Sequence, residues 1–249
     1  MSSPVKLYQQ ELHKNIGYFA TWLPGAALEL GDVGVFQAGQ FHKVASLAEL
    51  GIPAAAGVAG TPQTLDYSST ESTKIDTGAG AAVPAAVKAE VSVKFDRQGS
   101  FVFQALGVRS VQLADKVATS ARIVDAFARG AWQKDWLVVD SLYVADSATI
   151  IVAEDESAEI VLKASSTLPL AALSLSLADP SLGLTVSAMR GKLVYVIAAS
   201  GLRPLYSCLR LRKLPFIDPK VVPVRGAADP NAPATDRFAH ASIDELLES

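Results

Sequence analysis

The clearest periodicity in the chain lies at residues 86–113, where Val87, Ala89, Val91, Val93 and Phe95 alternate with Lys88, Glu90, Ser92 and Lys94. Successive side chains of a strand point to opposite faces, so this pattern predicts a half-buried strand. Asp96, Arg97, Gln98 and Gly99 supply turn chemistry, and Phe101, Phe103 and Ala105 begin a return strand running towards Leu113, which together predict a long hairpin. The period then becomes helical. Val117, Ala121, Val124 and Ala128 fall on one face with Ile123 and Phe127 beside it, and Gly130 follows, predicting a helix over 117–129. A second long hairpin is predicted with arms at 137–152 and 159–164 around the acidic tip Glu154, Asp155 and Glu156. Further strands are predicted at 173–177, 182–188, 192–199 and 205–211.

Towards the N terminus, Ser3 and Pro4 open a predicted helix over 3–15, and residues 18–23 read as a strand turned by Pro24 and Gly25. Residues 32–43 read as a hairpin with Gly39 at its tip, and Ser46 with Glu49 form a capping-box pattern. Residues 51–83 are rich in Ala, Gly, Pro, Ser and Thr, so they form either a long flexible connection or one that hides a strand. The fold class that follows is α+β: a mostly antiparallel twisted β-sheet with long hairpins and a few surrounding helices.

Composition narrows the function classes. At 249 residues the chain makes one large domain or two small ones, with enough interior to need neither disulfide nor metal, and Cys208 is its single cysteine. A lone cysteine fits a reducing compartment, and the start of the chain lacks the pattern of a secretory leader. A net charge of -3 argues against a generally basic nucleic-acid binder, so no nucleic-acid partner is expected. Mean hydropathy is +0.27, yet the uncharged run 164–178 contains Pro169 and falls short of the roughly 20 apolar residues of a spanning helix. Two explanations of the apolar composition stay open: an ordinary Ala/Val/Leu-rich core, or strands that can later face lipid.

Motifs of catalysis are absent: no nucleophile elbow, phosphate loop, paired-histidine zinc motif or Cys-x-x-Cys. His13, His42 and His240 are widely separated, and Glu154, Asp155, Glu156 and Glu159 read as a solvated tip rather than a metal cluster. The chain is therefore expected to be no enzyme and to use no cofactor. Residues 180–217 contain no Asp or Glu but hold Arg190, Lys192, Arg203, Arg210, Arg212 and Lys213. Lys192, Arg203, Arg210, Arg212 and Lys213 are candidate contacts to anionic membrane lipids, since each basic residue near such a surface is worth about 1 kcal/mol. The alternative for them is a solvated strand face. The tail is Pro- and Ala-rich at 226–241 and ends in a capping-box pattern at Ser242 and Glu245, with Phe238, Ile243, Leu246 and Leu247 apolar.

The order and length of these elements resemble the bacterial gasdermins: capped helix, the strand Tyr18-Phe-Ala-Thr-Trp-Leu-Pro24, a hairpin with basic Lys43, a Gly/Ala segment, the alternating strands, the helix 117–129, and the strands to Leu211. The resemblance covers roughly residues 4–213. It implies a pore-forming domain at 1–217, and at 218–249 a flexible linker with a short inhibitory tail carrying Phe238, Ile243, Leu246 and Leu247. An activating protease would cut near Arg225 or Arg237. The chain would be cytoplasmic while inactive, then form a homo-oligomer in the inner membrane and cause cell death in antiphage defence. A spanning hairpin would use Val91, Val93, Phe95, Phe101 and Phe103, because arms of this length suffice for a transmembrane strand and charged tips suit the far side. Many members carry a lipid-modified cysteine near the N terminus, and this chain has none there. The alternative is a non-enzymatic α+β binding or assembly protein that engages a protein partner.

Overall fold

The structure, a computed structural model, describes residues 4–22, 28–69, 71–76, 90–165, 176–212 and 220–224. In chain order these form α1 (Pro4–Ile16), β1 (Phe19–Ala20), β2 (Asp32–Gln37), β3 (Gln40–Ser46), β4 (Gln63–Ser68), β5 (Thr73–Asp76), β6 (Glu90–Phe95) and β7 (Phe101–Gln112). There follow α2 (Lys116–Ala128), β8 (Leu137–Val144), β9 (Ser147–Ala153), β10 (Ala158–Lys163), β11 (Thr185–Arg190), β12 (Leu193–Ser200), β13 (Leu205–Arg212) and β14 (Lys220–Val224). Among the described residues the strand pairs with a defined register are antiparallel, and with helices α1 and α2 they make the expected α+β class. The chain divides into two units, one of residues 1–8, 62–108 and 144–202, the other of 9–61, 109–143 and 203–249.

The first unit is a four-stranded sheet folded over on itself. β4, β7, β9 and β12 are neighbours in that order, and β5, β6, β10 and β11 are neighbours in the same order. Each strand of one array continues in sequence into the strand at the matching place in the other: β4 into β5, β6 into β7, β9 into β10, β11 into β12. Lateral bonding carries through the bend. Ser69 N–H donates to Phe101 O (3.0 Å), Ala153 N–H to Ser100 O (2.8 Å) and Glu154 N–H to Lys192 O (2.9 Å), so each corner is tied to the next. Gly99 takes φ +80° at the second corner, the left-handed region that only glycine enters cheaply.

Val91, Val93, Phe95, Ile160 and Leu162 of one array bury against Val102, Ile151 and Ala153 of the other. Fully burying such a side chain is worth about 1.5–3 kcal/mol, so this interior is what keeps the sheet bent. The outer face of β7 is also covered: Phe101 meets Tyr8 of α1 edge to face at 5.0 Å.

One expectation changes here and one open alternative is decided. The β6–β7 and β9–β10 segments are not hairpins; each crosses at its corner from one array to the other, and the true paired partners are β5 with β6 and β10 with β11. Alternation specifies a strand and its faces, whereas a polar connection at 96–99 fits a tight turn and a corner equally well. The segment 51–83 holds β4 and β5.

In the second unit β3, β2, β8 and β13 are successive neighbours, with β1 and β14 both alongside β13. The β2–β3 hairpin turns at Ala38 and Gly39, whose φ values of 50° and 82° match the twist a two-residue turn requires. Ser46 and Glu49 realise the capping box, with Ser46 N–H donating to Glu49 Oε2 at 2.7 Å and Glu49 N–H to Ser46 Oγ at 3.2 Å. β8 is buried on both faces: Leu137, Val139 and Leu142 meet Phe19, Phe36 and Tyr206, while Val138 packs with Ile123, Ala126 and Trp132 around α2. Asp140, buried on β8, accepts from Lys116 Nζ (2.5 Å) and Ser207 Oγ (2.8 Å). Gln9 of α1 brackets β1: its side-chain oxygen accepts from Ala20 N–H at 2.8 Å and its Nε2 donates to Ala20 O. β14 lies inside the 218–249 segment read from the sequence as linker and tail.

Candidate functional site

The bent sheet of the first unit holds the five residues that the sequence assigns to a spanning hairpin, together with Lys192. Val91, Val93 and Phe95 are buried on β6 and face the other array, while Glu90 and Lys94 face outward. Phe101 and Phe103 are buried on β7, on the opposite face from Val102, which joins the interior cluster. The five residues therefore lie along one bent strand and on two different surfaces of the folded sheet, not on one hairpin face. The outward face of the β5, β6, β10 array carries paired charges. Lys163 meets Glu90 at 2.9 Å, Lys94 meets Glu159 at 3.7 Å, and Ser92 Oγ donates to Glu159 Oε1 at 2.7 Å. These are solvent-screened pairs worth at most about 1 kcal/mol each.

Polar side chains inside the fold have a different task. Gln104 on β7, and Ser147 and Thr149 on β9, are buried and point towards the connection between β10 and β11. Leu177 N–H donates to Gln104 Oε1 (2.6 Å), Thr149 Oγ1 donates to Leu177 O (2.6 Å), and Ser147 Oγ donates to Ala178 O. Leu177 itself is 3% exposed, within the same apolar cluster as Val91, Val93 and Ile160. Sequence reading places Leu177 at the end of a strand; the structure uses it as a plug. Of the strand predicted at 173–177 only Ser176 and Leu177 lie among the described residues, and the side chains of β7 and β9 reveal their role.

The basic residues are shared between the two units. Lys192 is exposed at the last corner, where its N–H donates to Asp155 Oδ2 at 3.0 Å, so the acidic tip read as a hairpin end is a corner as well. Arg203 belongs to the second unit, where Nη1 donates to Leu28 O at 2.6 Å and meets Glu29 at 3.4 Å. Arg210 is half-buried on β13, and Arg212 ends that strand. Lys213 and, apart from β14, the predicted linker and tail with Arg225, Arg237, Phe238, Ile243, Leu246 and Leu247 lie outside the described residues.

Among the described residues no group of three or more His, Cys, Asp and Glu is placed to hold a metal ion. Cys208 is buried on β13, where burial first and the Asp140 carboxylate second push its thiol up, the reverse of what activates a nucleophile. His13 is buried beside Phe19 at 4.5 Å, and burial lowers its imidazole to about 4. Its ring nitrogens have no hydrogen-bond partner among the described residues. Lys43 pairs with buried Asp32 at 2.7 Å, which raises the lysine.

No family model matches the chain, and no curated protein is similar to it in sequence. Among solved structures it is similar to one described as the cryo-EM structure of the Gasdermin A3 membrane pore, with 9% sequence identity, covering 88% of this chain and 94% of that one at a TM-score of 0.39.

Proposed function

We propose that the chain is an autoinhibited pore-forming protein whose bent sheet straightens into two long transmembrane hairpins. The observation that carries this reading is the strand-for-strand continuation of β4, β6, β9 and β11 through one line of corners. Straightened, the segments 63–76, 90–106, 147–163 and 185–200 each exceed the roughly 9 to 11 residues that span a bilayer as a strand. Straightening also realigns the faces. In one uninterrupted alternation Val91, Val93, Phe95, Phe101 and Phe103 share a side with Arg97 as its charged exception, and Glu90, Ser92, Lys94, Asp96 and Gln98 share the other with Val102 as its apolar one, close to the apolar-out and polar-in pattern of a membrane barrel.

The leading ends of the two hairpins are the connections after β5 and β10, and residues 77–87 and 164–178 contain no charged side chain. That suits passage through hydrocarbon better than the charged corners, which the hairpin reading of the sequence takes as tips. One copy cannot span, because its edge N–H and C=O groups would be unsatisfied in lipid. The free edges, 63–76 on one side and 185–200 on the other, run in opposite directions, so neighbouring copies pair antiparallel and a ring closes. The tail beyond Val224 serves as the inhibitor, and proteolysis near Arg225 or Arg237 releases it. The active species is then a homo-oligomer in the inner membrane, and the resemblance to bacterial gasdermins makes cell death in antiphage defence its use.

A second reading, a non-enzymatic binding or assembly protein, draws support from β11, an edge strand exposed along nearly its whole length and open to strand addition by a partner. The test separates the two. A full-length chain with a protease recognition site inserted after Arg225 is mixed with dye-loaded anionic liposomes and cut in place. Dye release and rings only after cutting are expected. A cut, folded chain that neither releases dye nor forms rings overturns the pore reading in favour of the binding one.

A further inference from the structure

We propose that Leu177 is a wedge that holds the bent sheet closed, and that Thr149 and Gln104 are its latch, so that withdrawal of residues 176–178 sets the rate at which the sheet opens. The proposal rests on the pore reading for its consequence in membranes, although the latch itself is a property of the protein in solution.

The wedge is not a strand, yet its backbone is satisfied as though it were one. The N–H of Leu177 is taken by Gln104, its carbonyl by Thr149 and the carbonyl of Ala178 by Ser147. A short stretch of irregular backbone buried in an apolar interior is stable only when its polar groups are met in this way. The latch is itself tied down on both sides. Gln104 Nε2 donates to Asp66 Oδ1 on β4 at 3.1 Å, and the Thr149 hydroxyl accepts from Ala198 N–H at 2.7 Å, where β12 bulges with Ala198 at φ 45°. One hydroxyl thus joins the wedge to the edge strand on one side of the sheet, and one amide joins it to the edge strand on the other. Beyond the wedge, Asp179 caps a 3-10 turn at Pro180–Leu182, and Ser165 N–H donates to Leu182 O at 3.1 Å, which anchors the returning chain next to β10.

Leu177 belongs to the buried cluster that holds Val91, Val93, Ile160 and Leu162 of one array and Val102 and Ile151 of the other. Its cluster draws on both arrays, so separating them breaks up the apolar surroundings of Leu177 and opening is coupled to withdrawal of the wedge. Residues 176–178 belong to the connection between β10 and β11, so the wedge lies on the segment that would lead into lipid.

Three variants of the full-length chain test this: Thr149→Val, which keeps the shape and loses both bonds, Thr149→Ser, which keeps them, and Leu177→Ala, which removes the wedge but leaves the latch. Amide exchange is followed at Leu177 and across 90–95 and 158–163, and dye release is followed after cutting at the site inserted behind Arg225. Thr149→Val is expected to speed exchange at Leu177 and in both strands by about fivefold or more, the weight of a hydrogen bond, with dye release faster by a similar factor. Leu177→Ala is expected to do the same more strongly, and Thr149→Ser to behave as the parent. Unchanged exchange in both Thr149→Val and Leu177→Ala overturns the latch. Faster exchange with an unchanged rate of release overturns its role as gate and leaves the pore reading standing. Silence from every cut chain overturns the pore reading, and the latch is then decided by exchange alone.

Discussion

A Cβ placed on Gly99 would lie 2.6 Å from Cβ of Leu7, so the second corner of the bent sheet is shaped to fit under the first helix. The same glycine sits at φ +80°. Both constraints act at one atom, and they are separable by experiment. Gly99→Ala is expected to cost about 2 kcal/mol in urea unfolding, part from the left-handed backbone and part from the clash. Leu7→Gly in the same chain removes that Cβ and is expected to recover the clash alone, giving a coupling energy of about 1 kcal/mol between the two positions. Strict additivity of the two substitutions would mean that the helix does not press on the corner.

His13 makes stability depend on pH in a defined direction. Its imidazole falls from 6.5 to about 4 on folding because burial disfavours the charged form. The folded state therefore binds fewer protons, and the contribution is complete above pH 6.5 and lost as pH falls towards 4. At 1.36 kcal/mol per pH unit that amounts to up to about 3 kcal/mol. Carboxylates titrate in the same window, so the comparison that matters is with His13→Leu, which is expected to show a shallower loss between pH 7 and 4 in thermal melts. Parallel curves for the two proteins would remove the histidine from the explanation.

Asp140 is a buried carboxylate held by Lys116 and Ser207. Lys116→Met leaves it with one partner and is expected to destabilise by about 1–2 kcal/mol, reduced from the full cost of a broken buried pair because the lysine is partly exposed. Adding Asp140→Leu is expected to restore much of that loss, since an apolar pair replaces an orphaned charge. A double variant less stable than Lys116→Met would instead mean that the Ser207 bond stabilises the fold more than the lysine pair does. Equilibrium denaturation of the three proteins checks this.

Ala198 occupies φ 45° at the β12 bulge, a conformation that costs a residue with a Cβ. Ala198→Gly is expected to stabilise by about 0.5–1 kcal/mol while leaving the N–H that meets Thr149 in place. A loss of stability on this change would show that the Ala198 methyl is packed rather than strained.

Local signals in the sequence are read well and distant ones are not. The helix at Lys116–Ala128, the hairpin turned at Ala38 and Gly39, and the alternation of β6 all follow from spacing within a few residues, and all are present. The partners of β6 are β5 and β10, which are chosen by burial of Val93 against Ile160 and not by anything near residues 96–99. β4 and β5 escape because edge strands bury little: Leu65, Tyr67 and Ile75 are their only large apolar residues, set among Thr, Ser, Asp and Lys. Gln104 and Thr149 escape for a related reason. A polar residue in an apolar strand looks like a fault in the pattern until the carbonyl or N–H it serves is known.

Gln9 gives β1 what a neighbouring strand would give, one donor and one acceptor opposite Ala20. The sheet therefore ends there against a side chain and not against open backbone, and a two-residue strand is too short to nucleate pairing between molecules. In colloidal terms this is where the second unit resists sticking to its own kind. Gln9→Met would remove both, leaving the N–H and the carbonyl of Ala20 to seek other partners, so stability and solubility on storage would decline together.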